Sequence, residues 1–167
     1  MRYTYSAVNP EVPTNCLPAE LVQRPGFLLG RLGIALKTRT MEAFEREGFS
    51  PYQYSVLALL DEGPRTAQAA IADALQFDPS QLVALLDGLE EHDLIERRRD
   101  PNDRRRQMVT LTPAGKRQLA AFRTMVQQIE DEFLAPLDEA ERAELHDLLL
   151  RVAAHRDARY LVPAARV

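Results

Sequence analysis

The sequence predicts a mainly α (α+β) protein built around a winged helix-turn-helix: six helices, a two- or three-stranded β-wing, and a helical dimerisation region drawn from both termini. Three observations carry this. Residues 66–92 read as two short helices joined by a tight turn. Two short apolar-alternating runs, Leu94-Ile95-Glu96 and Met108-Val109-Thr110-Leu111, flank a turn containing Pro101 and Asn102, the pattern of a β-hairpin. Between the runs lies Arg97-Arg98-Arg99-Asp100-Pro101-Asn102-Asp103-Arg104-Arg105-Arg106. Its six arginines and two aspartates give +4 (6 − 2) in a chain of formal net charge −4. Guanidinium groups at a hairpin tip suit phosphate and a narrow, electronegative groove. A solvated charged loop is the alternative.

In chain order, residues 1–24 form an N-terminal arm that contains Pro10, Pro13 and Pro18 and reads as extended. Residues 25–47 place Phe27, Leu28, Leu32, Leu36, Met41 and Phe44 at mostly helical spacing. Ser50-Pro51-Tyr52-Gln53 is a capping box with Pro at the first helical position, and its helix stops at Gly63-Pro64. Thr66 caps an alanine-rich helix. Asp78-Pro79 opens the next, where Leu82, Leu85, Leu86 and Leu89 keep a 3.6-residue period. Thr112-Pro113 begins a long helix carrying Leu119, Phe122, Val126, Ile129 and Phe133. Asp138 to Glu141 is a second capping box, leading to Leu145, Leu148, Leu149 and Val152. The last two helices carry more apolar surface than the chain has partners to cover, so two protomers are expected to pair. Residues 25–49 and 112–156 are assigned to the dimerisation region, 50–111 to the DNA-binding domain and 157–167 to a C-terminal tail.

In the helix that would enter the major groove, Ser80 and Gln81 are the polar candidates near its start. A glutamine amide reads adenine through two hydrogen bonds, and a serine hydroxyl reaches a phosphate or base. Ordinary first-turn polar surface is the alternative. There is no basic residue between Phe77 and Glu90.

The chain resembles the MarR family (multiple antibiotic resistance regulators) through Leu85-Leu86-Asp87-Gly88-Leu89-Glu90, Leu94-Ile95-Glu96-Arg97, Asp100 to Arg105, and Leu111-Thr112-Pro113-Ala114-Gly115. The resemblance covers roughly residues 27–152. It implies a homodimer on a pseudo-palindromic DNA operator, acting as a repressor released by a small aromatic or anionic effector. It makes Arg105 the arginine that enters the minor groove and Asp103 the acidic residue that braces the wing against Arg97 or a neighbour. Arg97, Arg98, Arg99, Arg104 and Arg106 complete the expected DNA contacts. The family often carries Arg or Lys on the recognition helix, so here the wings are expected to supply most of the affinity. An effector pocket is expected to be lined by Arg31, Tyr52 and Tyr54; a salt-bridging or solvent-facing Arg31 and a merely packing Tyr52 are the alternatives.

Composition bounds the rest. Hydrophobic residues make up 46% and charged residues 28%, as in a globular domain, and no apolar run is long enough to cross a bilayer. The N-terminus has no signal-peptide core, so a cytoplasmic location is expected. A glycine-rich phosphate loop, a nucleophile elbow and a metal-ligand cluster are absent, which argues against an enzyme and against a metal or other cofactor. His92, His146 and His155 show no paired ligand spacing. Cys16, the only cysteine, lies between prolines, away from the thiol-sensing pattern of redox-responsive relatives. Two rival readings keep the fold: a ligand-binding dimer that does not bind DNA specifically, and a thiol redox sensor acting through Cys16.

Overall fold

A computed structural model of the chain describes residues 16–63, 68–99 and 107–160, and the chain divides into two compact units between Arg39 and Thr40. The first contains α1 (Ala19–Val22) and the amino-terminal turns of α2 (Pro25–Arg46). The second holds the end of α2, then α3 (Pro51–Asp61), α4 (Gln68–Leu75), α5 (Pro79–Glu91), β1 (Ile95–Arg99), β2 (Gln107–Leu111), α6 (Pro113–Phe133) and α7 (Glu139–Arg156). A 3-10 turn, Ala158–Tyr160, follows α7. The described residues therefore contain seven α-helices, one more than expected, and a two-stranded sheet. The addition is α1, a single turn inside the arm expected to be extended. It is too short to show an apolar period, and Pro18 at its N-cap gives no side-chain cap bond. The fold class is the winged helix-turn-helix.

Local chemistry explains where the helices begin. The Ser50 hydroxyl accepts from the Gln53 backbone N–H, and the Gln53 side chain accepts from the Ser50 N–H at 2.9 Å. Asp78 accepts from the Ser80 N–H at 2.8 Å, Thr112 from the Gly115 N–H at 2.9 Å, and Asp138 and Glu141 cap reciprocally at 2.9 Å each. Each such cap contributes about 1 kcal/mol. The Thr66 cap expected before α4 lies outside the described residues. At the far end of α2, Gly48 takes φ +77°, and the Phe49 N–H reaches back to the Phe44 carbonyl at 3.0 Å, a left-handed stop that favours glycine.

The core sits around α3, which packs against α4, α5, α6 and β2. Val56, Leu57 and Leu60 on α3 are buried with Ile71, Leu82, Leu86, Leu89, Leu94, Ile95, Val109 and Leu119. Phe44, Phe49 and Phe122 stack into the same core, with ring centroids 4.9 Å (Phe44–Phe122) and 5.1 Å (Phe49–Phe122) apart. Burying this apolar surface is what fixes α4, α5 and the hairpin on one platform.

The chain passes from β2 into α6 at a close approach. The Leu94 carbonyl accepts from the Thr112 N–H at 3.1 Å, and a Cβ placed on Gly115 would lie 1.9 Å from that carbonyl oxygen. Only glycine fits without moving backbone. Gly115→Ala is expected to destabilise the fold by about 3 kcal/mol, the upper end of overpacking costs. The check is the midpoint of a denaturant unfolding curve.

Candidate nucleic-acid interface

Helices α4 and α5 meet through residues 76–78, where Gln76 takes a left-handed conformation (φ 54°). α5 then turns two faces in different directions. Leu82, Leu86 and Leu89 enter the core, while Ser80, Gln81, Val83 and Ala84 are exposed. Ser80 and Gln81 are thus both open to solvent. The Ser80 hydroxyl is also engaged locally, donating to Asp78 Oδ1. The bond from that hydroxyl, with the Ser80 N–H beside it, holds the Asp78 carboxyl below the usual carboxylate range. Val83 was not anticipated. Its signal was an apolar side chain lying off the Leu82–Leu86–Leu89 stripe, where it is 43% exposed.

The hairpin that follows is antiparallel, with Ile95 opposite Leu111, Arg97 opposite Val109 and Arg99 opposite Gln107. Alternation along β1 separates the three arginines that the sequence groups together. Arg97 lies on the face of buried Ile95 and Val109; Arg98 points the other way. The Arg97 guanidinium is 20% exposed and is committed to α5. It donates to Asp87 Oδ1 at 2.7 Å and, from Nε, to Glu90 Oε2 at 2.9 Å, while a second nitrogen also reaches Glu90. The Arg97 backbone N–H donates to Glu90 as well, at 3.3 Å. These bonds hold the Glu90 carboxyl below its ordinary value and raise the Arg97 guanidinium above its own. Arg97 therefore braces hairpin to helix through its Nε and one terminal nitrogen.

Arg98 is exposed and pairs with Glu96 at 2.9 Å, a weak contact at such a surface; Arg99 is exposed too. Asp103, Arg104, Arg105 and Arg106 lie outside the described residues, as does the pairing expected for Asp103. Among the described residues, the acidic partners of Arg97 are on α5.

The candidate effector residues do not share one aromatic cluster. Tyr52, at the start of α3, stands edge-on to Phe77 at 5.7 Å, against the helix-turn-helix corner. Tyr54 is half-buried beside Phe44 (5.8 Å) and Phe122 (6.3 Å). Arg31 is exposed on α2 in the first unit, and Cys16 is exposed near the start of the described chain.

Apolar surface is left open on two helices. α2 exposes Leu28, Leu29, Leu32 and Ile34, the last by 67%, and α7 exposes Leu148, Leu149 and Val152. Within the second unit, α6 and α7 enclose a cleft of about 440 Å³ whose wall includes Leu134, Leu145, Leu149 and Leu150. No helix among the described residues is long and apolar enough to cross a membrane.

Comparison with known proteins agrees with this geometry. The family model described as "MarR family" matches residues 49–106. A "putative transcriptional regulatory protein for hcr operon" from Thauera aromatica is 36% identical over 148 residues, covering 84% of this chain and 88% of that protein. Among solved structures, the transcriptional repressor CouR bound to a 23-mer DNA duplex is 31% identical with a TM-score of 0.72, covering 84% of this chain and 99% of that one. CouR from Rhodococcus jostii RHA1 bound to p-coumaroyl-CoA is 30% identical, with a TM-score of 0.65 and coverage of 80% and 94%.

The brace makes a pH prediction. Because the folded-state pKa of Glu90 is lowered, its contribution is complete above the ordinary glutamate value of 4.5 and is lost as pH falls through the lowered one. The parent is expected to melt above Glu90→Gln at neutral pH, and the gap is expected to close on acidification below 4.5. Thermal melts of both proteins across that range provide the check.

Proposed function

This chain belongs to the MarR family, and from that premise we propose that it is a homodimeric transcriptional repressor acting in the cytoplasm on a pseudo-palindromic operator. The braced hairpin carries the reading. Arg97 ties β1 to α5, and Arg98 and Arg99 lead in sequence into five more charged residues of the arginine-rich segment. In the proposed complex Arg105 enters the minor groove, and Arg98, Arg99, Arg104 and Arg106 meet phosphates. Asp103 fixes the wing through a neighbouring arginine. α5 offers the major groove Ser80, Gln81 and Val83; an exposed aliphatic side chain beside an amide suits a thymine methyl next to adenine.

The exposed leucines of α2 and α7 support pairing through residues 25–49 and 112–156, with 50–111 presented to DNA. A two-fold dimer would then match half-sites about one helical turn apart. The effector is proposed to be an aromatic acid or its coenzyme A thioester, the class that includes the p-coumaroyl-CoA held by CouR. Arg31 is the candidate cation for it, with Tyr52 and Tyr54 as candidate aromatic walls. One observation favours a second reading, a ligand-binding dimer without specific DNA binding: α5 contains neither lysine nor arginine.

Selection from random and genomic duplexes, followed by binding titrations in rising salt, separates the two. With about six to eight phosphate contacts per dimer, the logarithmic salt slope is expected near −5 to −7. Absence of salt-sensitive binding to any duplex would favour the second reading. Arg105→Ala is expected to cost about 1–3 kcal/mol of operator binding, more than Arg117→Ala on α6; equal losses would reduce the wing to bulk charge. Val152→Glu, placing a charge on the open face of α7, is expected to shift the dimer toward monomer in sedimentation equilibrium.

A further inference from the structure

We propose that the 3-10 turn after α7, Ala158–Tyr160, belongs to the DNA-contacting surface, with Arg159 meeting a backbone phosphate beside the amino-terminal end of α5. The inference rests on the DNA-binding reading above. Four observations support it.

The first is position. A cleft of about 590 Å³ at the helix-turn-helix corner is lined by Asp73 of α4, Gln76, Phe77 and Asp78 of the turn, Pro79 of α5, and Arg159. The 3-10 turn after α7 thus reaches the corner that opens the recognition helix. The second is charge. Residues 151–160 hold Arg151, Arg156 and Arg159 against a single Asp157, a net of +2 (3 − 1), in a chain of net −4. The corner they adjoin carries Asp73 and Asp78 and, among the described residues that line it, no cation besides Arg159.

The third is orientation. Asp157 accepts from the Arg159 Nε and backbone N–H at 3.0 Å each and from its Nη2, so one edge of the guanidinium is clamped. The fork that remains, through Nη1, is free to turn to an acceptor, and the side chain is 41% exposed. The same bonds hold the Asp157 carboxyl down at about 2, so the clamp stays charged wherever DNA binding would be measured. The fourth is span. α5 has 13 residues, about 20 Å at 1.5 Å per residue. The hairpin arginines follow its carboxy-terminal end and Arg159 adjoins its amino-terminal end, so an acidic helix is bracketed by cations placed to hold the phosphates on either side of a groove.

The test uses the full chain and a fluorescent duplex recovered by selection, titrated from 50 to 200 mM salt, concentrations over which phosphate contacts dominate the change in affinity. Arg159→Gln is expected to bind severalfold more weakly to operator and random duplex alike. Its salt slope should be shallower by about one per protomer. Asp73→Asn, removing an opposing charge from the same cleft, is expected to tighten binding. Arg159→Gln with the parent's affinity and slope overturns the inference. So does weaker binding with an unchanged slope, which would make Arg159 structural. An unmodified chain that binds no duplex overturns the DNA-binding reading itself, a different result from either.

Discussion

One guanidinium ties the hairpin to the helix that precedes it. Arg97 reaches across from β1 to Asp87 and Glu90, which stand almost one turn apart on α5, and its own backbone N–H joins them. Beyond that tie, the base of the hairpin is anchored in the core by the buried Leu94, Ile95 and Val109. A two-stranded ribbon is marginal by itself, so an interaction that fixes its angle to the helix counts for more than its own free energy. Arginine suits the place because its planar fork satisfies two carboxylates at once, whereas an ammonium group would offer a point charge.

The same pairing changes how charge is distributed along α5. Two of its carboxylates are answered by Arg97, and Asp78 is spent on the helix cap, where it satisfies the Ser80 amide and hydroxyl. What its first two turns leave outward is short and neutral, a proline, a serine, a glutamine, a valine and an alanine, with Glu91 exposed at the far end. Close approach to a polyanion is then limited less by repulsion along the helix than the raw sequence implies, and the net charge of −4 says little about the local field.

Much of this was legible from the residues, for a physical reason. Helix starts are decided by side chains within three positions of one another, so Ser50-Pro51-Gln53, Asp78-Pro79, Thr112-Pro113 and Asp138-Glu141 could be read directly, and all four caps form. The hairpin was equally local. Three things were not. α1 is shorter than the period that reveals a helix. The partners of Arg97 lie seven and ten residues back, and a run of three arginines gives no hint which will turn inward until the register with β2 is fixed. Arg159 stands beside residues some eighty positions earlier, a proximity that belongs to the tertiary fold alone.

The junction at Thr112 has a mechanical consequence. Its hydroxyl donates to the Asp93 carbonyl at 2.6 Å and accepts from the Gly115 amide, while its own amide holds the Leu94 carbonyl. The last residue before α6 is thereby stitched to the residues that open the hairpin at two points and to the first turn of α6 at a third, with no side chain on Gly115 to act as a cushion. α6 is 21 residues long, about 31 Å. Tilting its distant end by a few degrees would rotate the strand pair with almost no slack, so this helix is a lever arm whose fulcrum is a single threonine.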